Sequence, residues 1–420
     1  MAVTPAVTSI YRPMRRFAPY KRRTIQRTRL DQELRVLVGI HNPRSIPTMI
    51  NLLEATHPTK HSPLSIFALH LVELTGRATA MMIAHNYSKS SSAAHFKHHT
   101  HSRAPVNRTQ AYSDQIANAL DNYQQQSLGV SASTHTAISP YSSMHEDICN
   151  LAEDKRVALI LLPFHKEQTL DGAMESANPA FRSINSSVLA NAPCSVAILV
   201  DRGLATAARA PSSMAHHVIV LFFGGPDDRE ALACAWHMAE HPAVRLTVVR
   251  FVEDGGSAAA PSGMLHLDAA DKSDSKMLTM TTEEERERQL DEDYLNQFRL
   301  QHASNEAVVY AEKVVGNGED MVEAIRRLDS VYDLFIVGRG QGSSPLTAGL
   351  TDWSECPELG AVGDLLASSD FAATATVLVV QQYVGVMPAD GVATPDSPGI
   401  QIEQYLDNIR RPRGGPHAYR

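Results

Sequence analysis

The order of strand-sized apolar runs in residues 34–200 recurs in residues 218–380, and nothing else in the chain restricts the possible folds as much. Leu34–Ile40 (LRVLVGI) reads as a buried strand stopped by His41-Asn42-Pro43, and Ile46–Ala55 follows with helical apolar spacing. Leu64–Val72 is a second strand, Val157–Leu162 a third and Val196–Val200 a fourth, with short non-strand material between the last two. Ile116, Leu120 and Tyr123 mark a helix, and the Ser/His-rich stretch His85–Asn107 reads as a mobile loop. Val218–Phe223 then ends in Gly224-Gly225-Pro226, a helix Arg229–Ala239 follows, and Leu246–Val252, Leu334–Val337 and Val377–Val380 complete the second set. Matching strand ends lie about 175–185 residues apart, the constancy expected of a duplication. Continuous apolar runs alternating with helices predict parallel sheets covered on both faces.

The reading is therefore two tandem Rossmann-like α/β domains, 30–205 and 214–385, joined by the Ala/Arg/Ser segment 203–213. Residues 1–29 read as the end of a membrane helix plus a basic juxtamembrane linker, and residues 386–420, rich in Pro and Gly, read as a disordered tail. No apolar run in the 420 residues approaches the ~20 that a membrane span requires. Cys149, Cys194, Cys234 and Cys356 are widely separated and make neither a disulfide framework nor a zinc-finger spacing, so all four read as small packed apolar residues.

Charge is distributed unevenly. Residues 1–30 hold eight basic side chains, among them Arg15, Arg16, Lys21, Arg22 and Arg23, and no acidic one. The remaining 390 residues carry 30 basic and 46 acidic groups, a net of −16. The basic arm suits nucleic acid, anionic lipid headgroups, a mitochondrial presequence, or the cytoplasmic end of a membrane helix. A body at −16 argues against nucleic acid.

Chemistry-bearing motifs are few. Gly338-Arg339-Gly340-Gln341-Gly342-Ser343 follows the strand run DLFIV; its closely spaced glycines, Arg339 and Ser343 suit a phosphate, or else form a tight exit turn. The next helix start reads as Gly363-Asp364, where the carboxylate would cap the helix and repel a phosphate, and Gly316–Asp320 repeats that acidic pattern. His95, His98, His99 and His101 suit a divalent metal or a proton sensor, against a solvated loop. His70 and His85 lie near strand ends, where a satisfied core histidine is the default. Thr282 and Glu285 read as a capping box opening a helix with Leu290, Tyr294 and Phe298 inward and Glu283, Glu284, Glu287, Asp291 and Asp293 outward. Hydrolase motifs and a Walker lysine loop are absent, and no nucleophile is nominated, so no enzyme is expected.

Several stretches resemble the C-terminal region of the plant cation/proton exchangers, which are monovalent cation:proton antiporters. They include RRTIQRTRLDQELRVLVGI, VLFFGGPDDREALACAWHMAEHP, YDLFIVGRGQ and ELGAVGDLLASSDFAATATVLVVQQ. The resemblance runs from about residue 5 to residue 383 and implies about a dozen membrane helices ahead of this region, with TPAVTSIYRP similar to the end of the last one. It also implies a cytosolic regulatory role in potassium and pH homeostasis, at an endomembrane or the plasma membrane. The implied partners are the transport domain of the same antiporter, a second copy of the chain, and anionic lipid near the basic linker. The two domains resemble the universal stress protein fold, some of whose members hold ATP or AMP phosphates on a Gly-x-x-Gly and a later Gly-Ser or Gly-Thr. Here Gly360-x-x-Gly363 runs straight into Asp364, and the first domain has Arg182-Ser183 with no glycine, so cofactors are expected to be none. The alternative function is a free-standing nucleotide-binding protein of that fold.

Overall fold

The computed structural model describes residues 23–29, 31–74, 108–169, 174–176, 178–204, 216–254, 272–328, 331–340, 345–350, 354–368, 371 and 375–383. The first half contains β1 (Leu34–Ile40), α1 (Ile46–Ala55), β2 (Leu64–Glu73), α2 (Arg108–Gln126), β3 (Val130–Ser139), α3 (Met144–Lys155), β4 (Leu159–Pro163), α4 (Pro179–Asn191) and β5 (Ser195–Val200). The second half contains β6 (His216–Phe222), α5 (Pro226–Met238), β7 (Val244–Glu253), α6 (Lys272–Gln301), β8 (Val308–Val315), α7 (Gly318–Arg326), β9 (Leu334–Gly338), α8 (Gly360–Ala367) and β10 (Thr376–Gln381). A hairpin, Lys166–Gln168 with Met174–Ser176, follows β4.

Each half orders its strands 3-2-1-4-5 in space: β3-β2-β1-β4-β5 and β8-β7-β6-β9-β10. Within each half every pairing is parallel. The halves join edge to edge where β5 runs antiparallel to β10, from Val200 opposite Val377 to Val196 opposite Gln381, so a single ten-stranded sheet results. Identical order with antiparallel junction is the arrangement of a duplicated unit turned about a two-fold axis, as the sequence offset predicts.

Alternation along the strands feeds two cores. Val36 and Val38 of β1 face one side with Met49 of α1, Leu120 of α2, Trp236 of α5 and Phe298 of α6. Leu37 faces the other with Ile148 of α3, Val188 of α4, Ile325 of α7 and Leu366 of α8. Two helices from each half therefore cover each face. Burial on both faces explains why the central strands read as unbroken apolar runs.

Among the elements missed by the periodicity reading are β3, α3, α4 and β8. β3 and β8 are the sheet's outer strands and mostly partly or fully exposed; β3 carries no long apolar run, and the short one in β8 is cut by Glu312 and Lys313. α4 shows only a narrow stripe of Ile184, Val188 and Leu189, capped by Asn178, whose side chain accepts from the Ala180 N–H. The capping box at Thr282 is corrected: α6 starts ten residues earlier, at Lys272, because neither Gly nor Pro interrupts the preceding turns. The solvent-facing assignment of Asp291 is corrected too, since it is buried against α5. The segments 85–107, 205–213 and 386–420 lie outside the described residues.

Candidate functional site

The glycine turn after β9 meets α5, not open space. The first turn of α5 carries Asp227 and Asp228, both buried. One oxygen of Asp228 accepts from the Phe223 and Gly224 N–H groups at 2.6 and 2.8 Å, and the other accepts from the Gly338 N–H at 3.0 Å. This carboxylate thus fills the cluster of main-chain donors that a phosphate would require. A Cβ on Gly338 would stand 2.2 Å from that same carboxylate, so the glycine permits the approach. Asp227 accepts from the Gln382 N–H at 2.8 Å. Asp291 of α6 accepts from the Gly225 N–H at 2.9 Å and pairs with Arg229, which also meets Glu287 at 2.6 Å.

Arg339 makes its hydrogen bonds outside this cluster. Its guanidinium donates to the Glu358 carbonyl at 3.1 Å, Gln381 Oε1 at 2.7 Å and the Pro357 carbonyl at 3.3 Å. Gly340 is left-handed, with a φ of 64° and, among the described residues, no heavy atom within 4 Å of its absent Cβ. Gly363 lies inside α8 and lets the helix approach Val379 of β10, where a Cβ would come to 2.8 Å. The reading of Asp364 as a cap for its own helix is corrected. α8 begins at Gly360, and the Asp364 carboxylate reaches back to the Glu355 and Cys356 N–H groups at 2.8 and 3.0 Å. Gly342 and Ser343 lie outside the described residues, as do His85, His95, His98, His99 and His101. His70 is a satisfied core histidine, with Nδ1 2.8 Å from the Ser113 hydroxyl.

Burial, joined by the neighbouring charges of Asp227 and Asp291, pushes the Asp228 carboxyl up to about 7 against the pull of its N–H donors. A raised carboxyl favours the folded state most in acid, and that contribution is lost as pH rises from about 4 through about 7. Asp228→Asn should therefore flatten the decline in stability over this window by up to about 1.4 kcal/mol per pH unit, as read by urea unfolding at stepped pH.

A second constellation surrounds the end of the basic segment. Arg23 bridges to Cys194 just before β5 and donates from its side chain to the Glu153 carbonyl at 3.3 Å. Residues 24–28 then turn, the Thr28 N–H donating to the Ile25 carbonyl at 2.8 Å. Glu230 of α5, fully buried, receives the Ile25 N–H at 2.5 Å and the Gln26 N–H at 3.2 Å on its two oxygens. Gln382, just past β10, donates to the Gln26 side chain at 2.8 Å. The Ile25 side chain, 1 % exposed, lies beside a cavity of about 20 Å³ lined by Val36, Leu53 and Leu161 of the first half and Cys234, Met238 and Leu378 of the second. Residues 23–26 are thereby pinned where the two halves meet. Burial raises the Glu230 carboxyl, and the Ser195 hydroxyl and the linker N–H groups oppose that rise. Arg15, Arg16, Lys21 and Arg22 lie outside the described residues.

Glu230 and its seat were not singled out from sequence. The available signal was the charge run Asp227–Glu230 opening a helix whose remaining residues are mostly apolar.

Two family models cover most of the chain. Residues 66–204 match the plant cation/H(+) antiporter domain, and residues 215–381 match the plant cation/H(+) antiporter C-terminal domain. The chain belongs to the plant cation/H(+) antiporter family. Among similar Arabidopsis thaliana proteins, Cation/H(+) antiporter 15 is 59% identical over 399 residues, covering 94% of this chain and 46% of the relative. Cation/H(+) antiporter 23, chloroplastic, is 45% identical over 390 residues, covering 91% of this chain and 42% of the relative. This antiporter-family chain thus spans less than half the length of these relatives. Among solved structures, a universal stress protein from Archaeoglobus fulgidus is similar at a TM-score of 0.42 and 12% identity, covering 83% of this chain and 97% of that one. Among the described residues no helix is long and apolar enough to cross a membrane.

Proposed function

We propose that this chain is the non-enzymatic regulatory half of a monovalent cation/proton antiporter, potassium being the cation, and serves potassium and pH homeostasis. The observation that carries the reading is the seating of Ile25 and Gln26 on Glu230, at the junction of the halves and directly after the basic segment. In this reading the transport domain precedes residue 1. The basic cluster, with Arg15, Arg16, Lys21 and Arg22, lies at the cytosolic face of an endomembrane or the plasma membrane and complements anionic headgroups by charge. Any change in how the halves pack then reaches the transport domain through a short, pinned stretch of main chain. A second copy of the chain is the expected oligomeric partner.

The test joins this chain to the part of Cation/H(+) antiporter 15 that lies outside the match and compares it with that part alone. Proton-coupled potassium flux in vesicles should show a pH profile in the joined protein that the part alone lacks. Identical profiles would contradict a regulatory role, and flux of sodium but not potassium would contradict the cation assigned.

A further inference from the structure

On the face of the sheet opposite the linker seat, the halves meet at a second buried cluster. His165 follows β4 of the first half, and Cys356 and Glu358 belong to the turn Pro357–Leu359 ahead of α8 in the second. All three are buried, and one ligand atom of each (ring nitrogen, sulfur, carboxylate oxygen) lies within 4.8 Å of the other two. His165 Nδ1 and Glu358 Oε1 stand 2.9 Å apart at side-chain exposures of 4% and 1%. They stand at ion-pair distance, and among the described residues neither atom has a further hydrogen-bond partner. A buried nitrogen and a buried carboxylate oxygen therefore converge on one point beside a sulfur, which is the donor set of a zinc-class site.

The surroundings hold this set in place. Arg182 of α4 takes the other Glu358 oxygen at 3.2 Å and the Glu355 carbonyl at 2.7 Å, which leaves Oε1 toward the histidine. Asp364 fixes the Glu355 and Cys356 main chain, and Arg339 fixes the Pro357 and Glu358 carbonyls. Such outer partners are what orient metal ligands.

We propose that His165, Cys356 and Glu358 bind a divalent transition cation of the zinc class, which staples the two halves together. Imidazole, thiolate and carboxylate on a tetrahedral zinc ion would stand about 3.3–3.6 Å from one another, a separation these side chains reach by small rotations. Water takes the fourth position. A sulfur and an imidazole select zinc or cobalt over magnesium, calcium or potassium. Metal uptake releases the Cys356 thiol proton as the sulfur–metal bond forms. The dication is offset by thiolate and carboxylate, and the remaining positive charge sits on Arg182, whose side chain is 41% exposed to water.

Cobalt(II) is the probe, added to the full 420-residue chain under reducing conditions. One equivalent should give a thiolate-to-cobalt charge-transfer band that zinc displaces. Cys356→Ser should abolish the band, whereas Cys149→Ser should keep it; the histidines at 95–101 carry no sulfur and cannot produce it. Arg182→Ala should weaken zinc binding about 10–100-fold. Zinc should raise the thermal midpoint of the parent chain and leave that of Cys356→Ser unmoved. No band in the folded parent chain at saturating cobalt, or a band that survives in Cys356→Ser, overturns the site.

Discussion

Replacing Glu230 with alanine lowers the stability of the chain by about 2–4 kcal/mol and frees residues 23–26 from the folded body. Two main-chain donors, those of Ile25 and Gln26, rest on this one carboxylate in a buried junction. Without it each N–H loses its partner where water has little access, and an orphaned buried donor costs about 1–3 kcal/mol. Glutamine retains one acceptor oxygen and should lose about half as much. Urea unfolding gives the stability loss, and amide exchange gives the location. The Ile25 and Gln26 amides should lose protection in Glu230→Ala while those of β1 and β6 keep it. Uniform loss of protection across the sheet would mean that Glu230 serves the general fold and not the linker seat.

Gly360→Ala is expected to be the more damaging single change, costing above about 3 kcal/mol. Gly360 has a left-handed φ of 72°, and an added Cβ would lie 1.8 Å from the Arg339 carbonyl oxygen. That atom is main chain, in the residue just after β9 whose own N–H donates to the Val380 carbonyl at 2.7 Å, so it cannot swing aside as a side chain would. The turn must open, and with it the contacts of Arg339 to Pro357, Glu358 and Gln381. A thermal midpoint several degrees lower, without change in the near-native far-UV spectrum at low temperature, is the expected reading. Gly340→Ala is the control: its φ is also positive, but among the described residues no heavy atom stands within 4 Å of its absent Cβ, so the expected cost is the backbone term of about 1 kcal/mol.

What the sequence disclosed follows the physics of burial. Strands buried on both faces, such as Leu34–Ile40 and Leu334–Gly338, announce themselves as apolar runs, and the duplicated order follows from their spacing. β3 is mostly Ser, Thr and Ala and β8 carries Glu312 and Lys313 in its middle, and a half-exposed edge strand of this kind resembles a loop in a single sequence. The junction between β5 and β10 was also hidden, because a central strand shows no sign of which neighbour it will take. At the candidate sites, composition nominated glycine and histidine stretches, whereas the structure gathers Asp228, Glu230 and Glu358 by long-range packing. Their partners lie 110 residues away at Gly338, about 205 away at Ile25 and 176 away at Arg182. Spacing rules work over a few turns of chain and have no access to such distances. Asp291 shows the same limit, since helical periodicity put it outward and Arg229 of another helix draws it in.

In the regulatory reading proposed above, the pinned linker transmits the state of the two halves to an attached transport domain. A flexible Gly/Ser spacer inserted between Arg22 and Arg23 leaves the seat on Glu230 intact while breaking the mechanical connection. The measurement is the pH dependence of proton-coupled potassium flux in the joined antiporter, with and without the spacer. A shifted or flattened pH profile at unchanged protein level is the expected result, and a profile that the spacer leaves unchanged would contradict the claim.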